Sequence, residues 1–242
     1  MNFSNTIQLT NKGNVKMIAH RGVSGLEREN TCPAFVAAGV KSYYGIETDV
    51  HATKDGKYIL HHDKSLLRLA GIDKNIADCT FDELRNITLK DTDGVTERKD
   101  LFLPTPKEYF SICKKYDKQA IFELKENLTG EQVYELVDCV KEIGYLSRTT
   151  FISFKKELLL ALRQKAPDAD AQFLGAASEE NIAFILENGF DGDFSHGSIT
   201  QEAVDILHAH GRTVNCWTVN DAETAEKLIK MGVDFITTNI LE

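Results

Sequence analysis

Three acidic residues are placed where they could hold a metal ion. Glu47 and Asp49 are two positions apart in an apolar run of the 242-residue chain, and Glu123 lies in another such run. Residues two apart on a strand share a face, so Glu47 and Asp49 form a pair that Glu123 can join from a neighbouring strand. Three carboxylates in a partly dry site repel one another, and a hard divalent cation relieves this repulsion. Oxygen ligands favour Mg²⁺ or Ca²⁺ over zinc.

Two basic residues accompany the acids. Arg21 ends the first strand-like run, and Lys125 lies two positions after Glu123. Both are cations suited to binding phosphate oxygens. The alternative is that they pair with the acids in a purely structural network. Because three acids and two cations all fall at the ends of candidate strands, we favour a functional site.

Two histidines, His20 and His62, are candidates for proton transfer, because imidazole titrates near neutral pH and can act as a general base or acid. The placement of His62 depends on a hairpin, since the Asp-Gly pair at 55–56 predicts a two-residue turn. Pairing outward from that turn sets His62 opposite Asp49 on one face of the sheet. The same alternation turns His61 to the other face.

Apolar, β-branched runs alternate with helical segments along the chain. The eight candidate strands are 16–21, 45–50, 120–125, 149–154, 171–175, 190–194, 213–219 and 235–238. Strands that alternate with helices imply parallel βαβ units, and eight of them imply a closed barrel. Chemistry in such barrels takes place at the carboxyl ends of the strands. We therefore predict a single (β/α)8 TIM-barrel domain over residues 1–242.

Two parts of the chain do not fit the plain repeat. Residues 64–103 follow the second strand, and we expect a small insertion on the catalytic face, too short and polar for its own core. Residues 6–15, with turn residues at 11–13, are expected to form a small hairpin that closes the barrel floor.

The last candidate strand ends four residues before Glu242, which leaves no room for a full eighth helix. The outer face of the eighth and first strands must nevertheless be covered. We expect neighbouring helices, the N-terminal segment or a partner subunit in a homo-oligomer to cover it.

The overall charge excludes several classes of partner. Asp and Glu total 37 against 28 Lys and Arg, a net charge of −9, which argues against nucleic-acid binding and stable membrane association. No apolar run approaches the roughly 20 residues that span a bilayer. Residues 1–6 lack a signal-peptide pattern. The five scattered cysteines favour reduced thiols and a cytoplasmic location.

In their order along the chain, these motifs resemble the glycerophosphodiester phosphodiesterase family. The matching motifs are His20-Arg21-Gly22, Glu29-Asn30-Thr31, Glu47-Thr48-Asp49-Val50, Thr53-Lys54-Asp55-Gly56, His62-Asp63, Glu123-Leu124-Lys125 and Trp217-Thr218-Val219-Asn220. They extend over nearly the whole chain. The family fold is a (β/α)8 barrel with an insertion after the second strand. One departure is Asn239, which follows two threonines where many relatives have Thr-Asp.

The resemblance implies a role for each candidate. The three acids would bind one divalent cation, Mg²⁺ or Ca²⁺, with Mn²⁺ as a third option, and the two basic residues would hold the phosphate. Glu29 would support the first-strand residues or the metal shell, although it could be a simple loop acid. Trp217 would give an apolar wall on the glycerol or leaving-group side, although a core tryptophan is an equal alternative. Phe154 is a similar candidate.

The resemblance further implies hydrolysis of a small-molecule glycerophosphodiester to sn-glycerol 3-phosphate and an alcohol. We favour His20 as the base and His62 as the acid. The nucleophile could be water or the substrate's own hydroxyl, which would form a cyclic phosphate.

Three other functions compete with this interpretation. A lysophospholipase D-like or cyclising phosphodiesterase should have a more apolar mouth than the charged loop 91–100 suggests. A sugar-phosphate isomerase or aldolase would not need two histidines beside three acids. A non-catalytic glycerol-phosphate-binding barrel should lack one of these groups.

Overall fold

The computed structural model of the chain describes residues 5–242, so part of the segment expected to lack a signal peptide, residues 1–4, lies outside the described residues. The strands are β1 (Lys16–Ala19), β2 (Gly45–Ala52), β3 (Tyr58–Leu60), β4 (Gln119–Leu124), β5 (Thr149–Ser153), β6 (Asp170–Gly175), β7 (Asp191–Ser195), β8 (Val214–Trp217) and β9 (Phe235–Thr238). The helices are α1 (Cys32–Gly39), α2 (Leu67–Ala70), α3 (Phe81–Arg85), α4 (Pro106–Lys115), α5 (Gly130–Ile143), α6 (Lys156–Lys165), α7 (Glu179–Asn188), α8 (Gln201–Ala209) and α9 (Ala222–Met231).

Eight parallel strands close into a barrel. The sheet runs in the order β1-β9-β8-β7-β6-β5-β4-β2, and a further pairing of β1 with β2 closes it. All these pairings are parallel. The predicted (β/α)8 TIM barrel is therefore confirmed, with each candidate strand in its expected place.

Alternation along the strands fills both faces of the barrel wall. Ile18, Ile121, Ile152 and Leu174 form a separate buried cluster, which packs the interior as side chains do in barrels of this size. The main core lies between the barrel and its helices. Helices α3 and α4 both begin with the Thr-x-x-Glu capping boxes present in the sequence.

The predicted register of the hairpin after β2 is wrong by one residue. Strand β3 is antiparallel to β2, but Ala52 pairs with Tyr58 and Val50 with Leu60. Gly56 has φ +73°, which allows a three-residue loop with a bulge instead of the two-residue turn. The hydroxyl of Thr53 also accepts a hydrogen bond from the Lys57 N–H at 3.0 Å and stabilises this longer loop.

The segment 64–103 contains α2, α3 and a short 3₁₀ helix at Ile76–Asp78. The expectation that it lacks a core was wrong, because it contributes most of a second buried cluster. That cluster comprises Ile59, Leu66, Leu69, Ile76, Cys79, Leu84, Leu89, Leu101 and Leu103. Leucines spaced along a polar sequence converge here on Ile59 of β3, which joins the segment to the barrel.

Residues near both chain ends cover the barrel where the eighth helix is absent. No helix follows β9 within the described part of the chain. Instead, Ile7 forms a parallel bridge with Leu241, and Leu9 N–H donates to the Glu242 carbonyl at 2.8 Å. Leu241 is fully buried in the main core. The predicted N-terminal hairpin is therefore wrong, because these residues pair with the C-terminal segment.

The described helices are all too short or too polar to traverse a lipid bilayer. All five cysteines are free.

Candidate active site

A cleft of about 430 Å³, including its open mouth, lies at the carboxyl ends of the barrel strands. Seven of the ten residues singled out in the sequence line it, namely His20, Arg21, Glu47, His62, Glu123, Phe154 and Trp217. The other three, Glu29, Asp49 and Lys125, are not among its described lining residues.

The three acids converge as the sequence predicts. Glu47 and Asp49 lie on β2, and the strand register places Asp49 directly beside Glu123 of β4. Each of the three offers a carboxylate oxygen, and these oxygens all lie within 4.8 Å of one another. The residues are 3%, 1% and 7% exposed, respectively. Such a buried, all-oxygen donor set fits a hard divalent cation.

Burial and mutual repulsion disturb the ionisation of these acids. Burial, Asp49 and Glu123 raise the pKa of Glu47 well above its usual value. Burial and Asp49 raise the pKa of Glu123 to about 8. Burial alone would raise the pKa of Asp49, but Lys125 and Arg21 hold it well below its usual range. Lys125 and Arg21 therefore compensate the charge of Asp49, whereas Glu47 and Glu123 need a further cation before both can be fully ionised.

Both predicted cations contact the acids. Lys125 Nζ lies 3.2 Å from Asp49 Oδ1 and 2.8 Å from Glu123 Oε1. Arg21 Nε lies 3.6 Å from Asp49 Oδ2. Arg21 has φ +55°, and its N–H donates to Glu47 Oε2 at 2.8 Å. This left-handed conformation at a non-glycine residue is a feature common at functional sites.

His20 is held as a neutral imidazole. Its Nδ1 lies 2.7 Å from Asn239 Oδ1, so Nδ1 carries the proton that the amide oxygen accepts. The other ring nitrogen, Nε2, lies 4.0 Å from Glu47 Oε2. Burial and the charge of Arg21 lower the pKa of His20 to about 4. A neutral ring with an unprotonated Nε2 is suited to accept a proton.

His62 reaches the cleft by a route different from the predicted one. The strand register places His61, not His62, opposite Asp49, and His61 N–H donates to the Asp49 carbonyl at 3.0 Å. β3 ends at Leu60, so the chain turns away and presents His62 to the cleft. His62 Nδ1 donates to Asp63 Oδ1 at 2.7 Å, which leaves Nε2 available. His62 therefore lines the cleft, but its predicted position opposite Asp49 is wrong.

Glu29 lies behind Arg21. It accepts a hydrogen bond from Arg21 Nη1 at 2.8 Å and two from Arg68 of α2, at 2.6 and 2.8 Å. Burial would raise the pKa of Glu29, but these two arginines lower it to about 2. This geometry matches support of a first-strand residue better than direct contact with a ligand.

Two aromatic rings form one wall of the cleft. Phe154 and Trp217 pack edge to face, with ring centroids 5.6 Å apart. Phe154 is 44% exposed, and Trp217 Nε1 donates to the Asp193 carbonyl at 3.2 Å. An apolar wall therefore faces the acids and histidines across the cleft.

Sequence reasoning missed several supporting residues. Asn30 donates to Asp49 Oδ2 at 2.7 Å and accepts from Thr48 at 2.6 Å; its place in the Glu-Asn-Thr motif was the available signal. Asn239 was visible only as a departure from the family pattern. Arg68 gave no sequence signal, because Glu29 lies 39 positions away in the sequence and contacts Arg68 only in the folded chain.

Comparison with known proteins agrees with this geometry. The family model described as the glycerophosphoryl diester phosphodiesterase family matches residues 20–242. A curated relative from Caldanaerobacter subterraneus subsp. tengcongensis, named glycerophosphodiester phosphodiesterase, is 29% identical over 228 residues, which cover 92% of this chain and 93% of the relative.

Solved structures agree as well. A glycerophosphodiester phosphodiesterase from Parabacteroides distasonis has a TM-score of 0.78 and 32% identity, over 95% of this chain and 94% of that one. An Oleispira antarctica phosphodiesterase, solved with its product sn-glycerol-3-phosphate, has a TM-score of 0.85 at 24% identity, over 93% and 92% of the two chains, and supports the fold. The chain therefore belongs to the glycerophosphoryl diester phosphodiesterase family of enzymes.

Proposed function

We propose that this chain is a divalent-metal-dependent hydrolase that cleaves glycerophosphodiesters to sn-glycerol 3-phosphate and an alcohol. The observation that carries this proposal is the cluster of three buried acids in one barrel mouth with two histidines. Relatives named for this activity match the chain over nearly its whole length.

Glu47, Asp49 and Glu123 would hold the cation. Their oxygens are close enough to share one ion, and the raised pKa values of Glu47 and Glu123 reflect burial and a mutual repulsion that an ion relieves. Bound there, a divalent cation would supply charge stabilisation for the phosphodiester and its transition state. We propose Mg²⁺ or Ca²⁺, with Mn²⁺ as a third option, because all three accept oxygen ligands.

Arg21 and Lys125 would bind the phosphate oxygens. Arg21 lines the cleft and keeps its orientation through Glu29 at 2.8 Å. Lys125 forms ion pairs with Asp49 and Glu123. It would be free to turn toward a phosphate if a cation compensated the charge of these acids. A fixed guanidinium beside a developing negative charge lowers the barrier without reorganising during the reaction.

The two histidines would move protons in opposite directions. His20 would take the proton of the attacking hydroxyl at Nε2, while Asn239 retains the proton on Nδ1. His62 would give a proton to the leaving alkoxide from Nε2, with its ring oriented by Asp63. The attacking group would be water or a neighbouring hydroxyl of the substrate.

We also propose that residues 1–242 form one domain that includes the segment 64–103. Ile59 of β3 belongs to the same buried cluster as the leucines of that segment, which supports a shared unit. A cytoplasmic location is proposed because none of the five cysteines forms a disulfide.

The proposal is tested by incubating the purified protein with glycerophosphocholine and Mg²⁺. Choline and sn-glycerol 3-phosphate should appear in equal amounts. Formation of phosphocholine and glycerol instead would show that the other phosphoester bond is cleaved and would overturn the proposal. The Glu123→Gln variant serves as the inactive control.

A further inference from the structure

Asp193 of β7 is a buried acid that the proposed mechanism does not use. It lines the same cleft as the histidines, is 2% exposed, and its Oδ1 has no hydrogen-bond partner among the described residues. A buried polar atom without a partner is costly and calls for an explanation. Asp193 therefore needs a partner that the described chain does not supply.

The surroundings of Asp193 do not supply a counter-charge. Among the described residues, no cationic side chain forms an ion pair with it, and Asn215 on β8 is its polar neighbour. Burial raises the pKa of Asp193 well above its usual value, and the nearby side chain of Asn215 opposes this only in part. A buried carboxyl group without a counter-charge favours its protonated form, which has one O–H to donate and further oxygen lone pairs to accept. That combination matches a hydroxyl group.

Asp193 lies at the floor of the cleft. On the neighbouring strand, Trp217 pairs with Ser195, whereas Asp193 pairs with Asn215. Because residues two apart share a face, Asp193 lies one inward layer deeper than Trp217. Phe154, by contrast, is 44% exposed at the rim. A group of variable size therefore fits the exposed rim beside Phe154, whereas the buried position of Asp193, which is 2% exposed, suits a small end.

A glycerophosphodiester has two ends of different character. One is an alcohol that varies in size and charge, and the other is glycerol, which is small, neutral and carries two free hydroxyls. With the phosphate held at the acids and Arg21, the glycerol end suits the floor. Its carbon atoms would lie against Trp217, and its hydroxyls would face the unpartnered oxygen of Asp193.

We propose that Asp193 is a specificity-determining residue that hydrogen-bonds the free hydroxyls of the glycerol end at the floor of the cleft. This inference rests on the proposed hydrolysis of glycerophosphodiesters. It assigns to Asp193 the selection of a hydroxyl-bearing substrate over one with a plain alkyl group in the same place.

The test compares glycerophosphocholine with 2-hydroxypropylphosphocholine, which keeps the hydroxyl next to the phosphoester and lacks only the terminal one, so that either nucleophile can still react. The kcat/KM ratio of the two measures selectivity for the terminal hydroxyl. In Asp193→Leu this ratio should fall on the order of 10²-fold from the wild-type value, because a site built to bind a hydroxyl discriminates strongly against its absence. Asp193→Asn keeps a neutral donor and acceptor, so its ratio should fall less than about tenfold.

Gln172→Leu is the matched control. Gln172 of β6 is also buried, and its Oε1 also has no hydrogen-bond partner among the described residues, but it is not among those that line the cleft. If Asp193 acts only through an interior water that it shares with Gln172, both leucine variants will change the ratio equally. We expect the ratio of Gln172→Leu to equal that of the wild type.

Thermal unfolding checks the fold of each variant, and Asp193→Ala replaces the leucine variant if that chain does not fold. A wild-type ratio in Asp193→Leu, or an equal fall in Gln172→Leu, overturns the inference while leaving the proposed function intact. A wild-type protein that cleaves neither substrate overturns both. A fall confined to the Asp193 variants supports the inference.

Discussion

Arg68 of α2 donates to both carboxylate oxygens of Glu29, at 2.6 and 2.8 Å. The same guanidinium donates to Asp63 at 2.6 Å. Glu29 in turn accepts from Arg21, and Asp63 accepts from His62. Arg68 therefore binds both Glu29, which contacts the candidate phosphate-binding Arg21, and Asp63, which contacts the candidate acid His62.

This relationship predicts that Arg68 positions the catalytic groups without touching the substrate. Arg68→Ala should lower kcat/KM by about 10- to 100-fold, the usual effect of losing a supporting contact behind a site. The kcat/KM of Arg68→Lys should lie between those of the wild type and Arg68→Ala, because a lysine keeps the charge but cannot bridge two carboxylates as a guanidinium does. Arg85→Ala removes a comparable ion pair, with Glu108, and should leave kcat/KM near wild type. Unchanged kinetics in Arg68→Ala would contradict the positioning role.

The role of His62 as the acid can be separated from a general loss of activity. His62→Ala should lower kcat on glycerophosphocholine by about 10²-fold or more. With a p-nitrophenyl diester, whose leaving group needs no proton, most of that loss should disappear. His20→Ala should be impaired on both substrates, since the base is required in either case. Equal losses for His62→Ala on both substrates would refute its assignment as the acid.

His61 provides the structural contrast to its neighbour. It is fully buried, and its Nε2 lies 3.3 Å from the Ser65 carbonyl. Replacing it with alanine should therefore lower the free energy of unfolding, while the folded fraction keeps a kcat within a few-fold of wild type.

Removing one of the three acids should change the response of stability to metal. Glu47→Gln removes a buried acid whose pKa is raised by burial and by its two neighbours, so the metal-free Tm should stay the same or rise. Added Mg²⁺ should raise the Tm of the wild type, because it binds the folded state, but not that of Glu47→Gln. Glu179→Gln, at an exposed position on α7, should respond like the wild type. A full Mg²⁺ response in Glu47→Gln would argue against this site.

Glu242 should make the stability of the fold depend on pH. Its side chain accepts from Thr6 at 2.6 Å and from the Ser42 N–H at 2.7 Å. Burial would raise its pKa, but these bonds and Lys41 lower it to about 2, below the ordinary value of 4.5. A carboxyl group whose pKa is lowered by folding stabilises the folded state at pH values above its unfolded pKa. For Glu242 this stabilisation is lost as the pH falls from about 4.5 to 2.

The Glu242→Gln variant tests this dependence. At pH 7 its free energy of unfolding should be about 1–3 kcal/mol lower than that of the wild type, and the difference should shrink toward pH 2. Glu223→Gln, at a side chain that is 81% exposed, should follow the wild-type curve at every pH. A constant difference between Glu242→Gln and wild type would contradict the proposed linkage.

The barrel was predictable because its periodicity repeats along the sequence. Each strand is a short apolar run, and the capping boxes at Thr80 and Thr105 fix where two helices begin. The acids could be grouped because alternate residues of one strand share a face and neighbouring strands end at the same rim. No knowledge of tertiary contacts was needed for either step.

Features that depend on loop geometry were harder to predict. An Asp-Gly pair allows both a two-residue turn and a bulged three-residue loop, and the choice at Gly56 shifted the register by one. The second cluster around Ile59 and the bridge of Ile7 with Leu241 join residues far apart in sequence. Arg68 acquires its partners in the same way. No local pattern carries such contacts.

The central claim is that Glu47, Asp49 and Glu123 hold a divalent cation required for hydrolysis. The most direct measurement is choline release from glycerophosphocholine after chelation with EDTA, followed by titration with Mg²⁺, Ca²⁺ or Mn²⁺ in excess of the chelator. Activity should be lost on chelation and restored by at least one of the three ions, but not restored in Glu123→Gln. Full choline release after thorough chelation would contradict the claim.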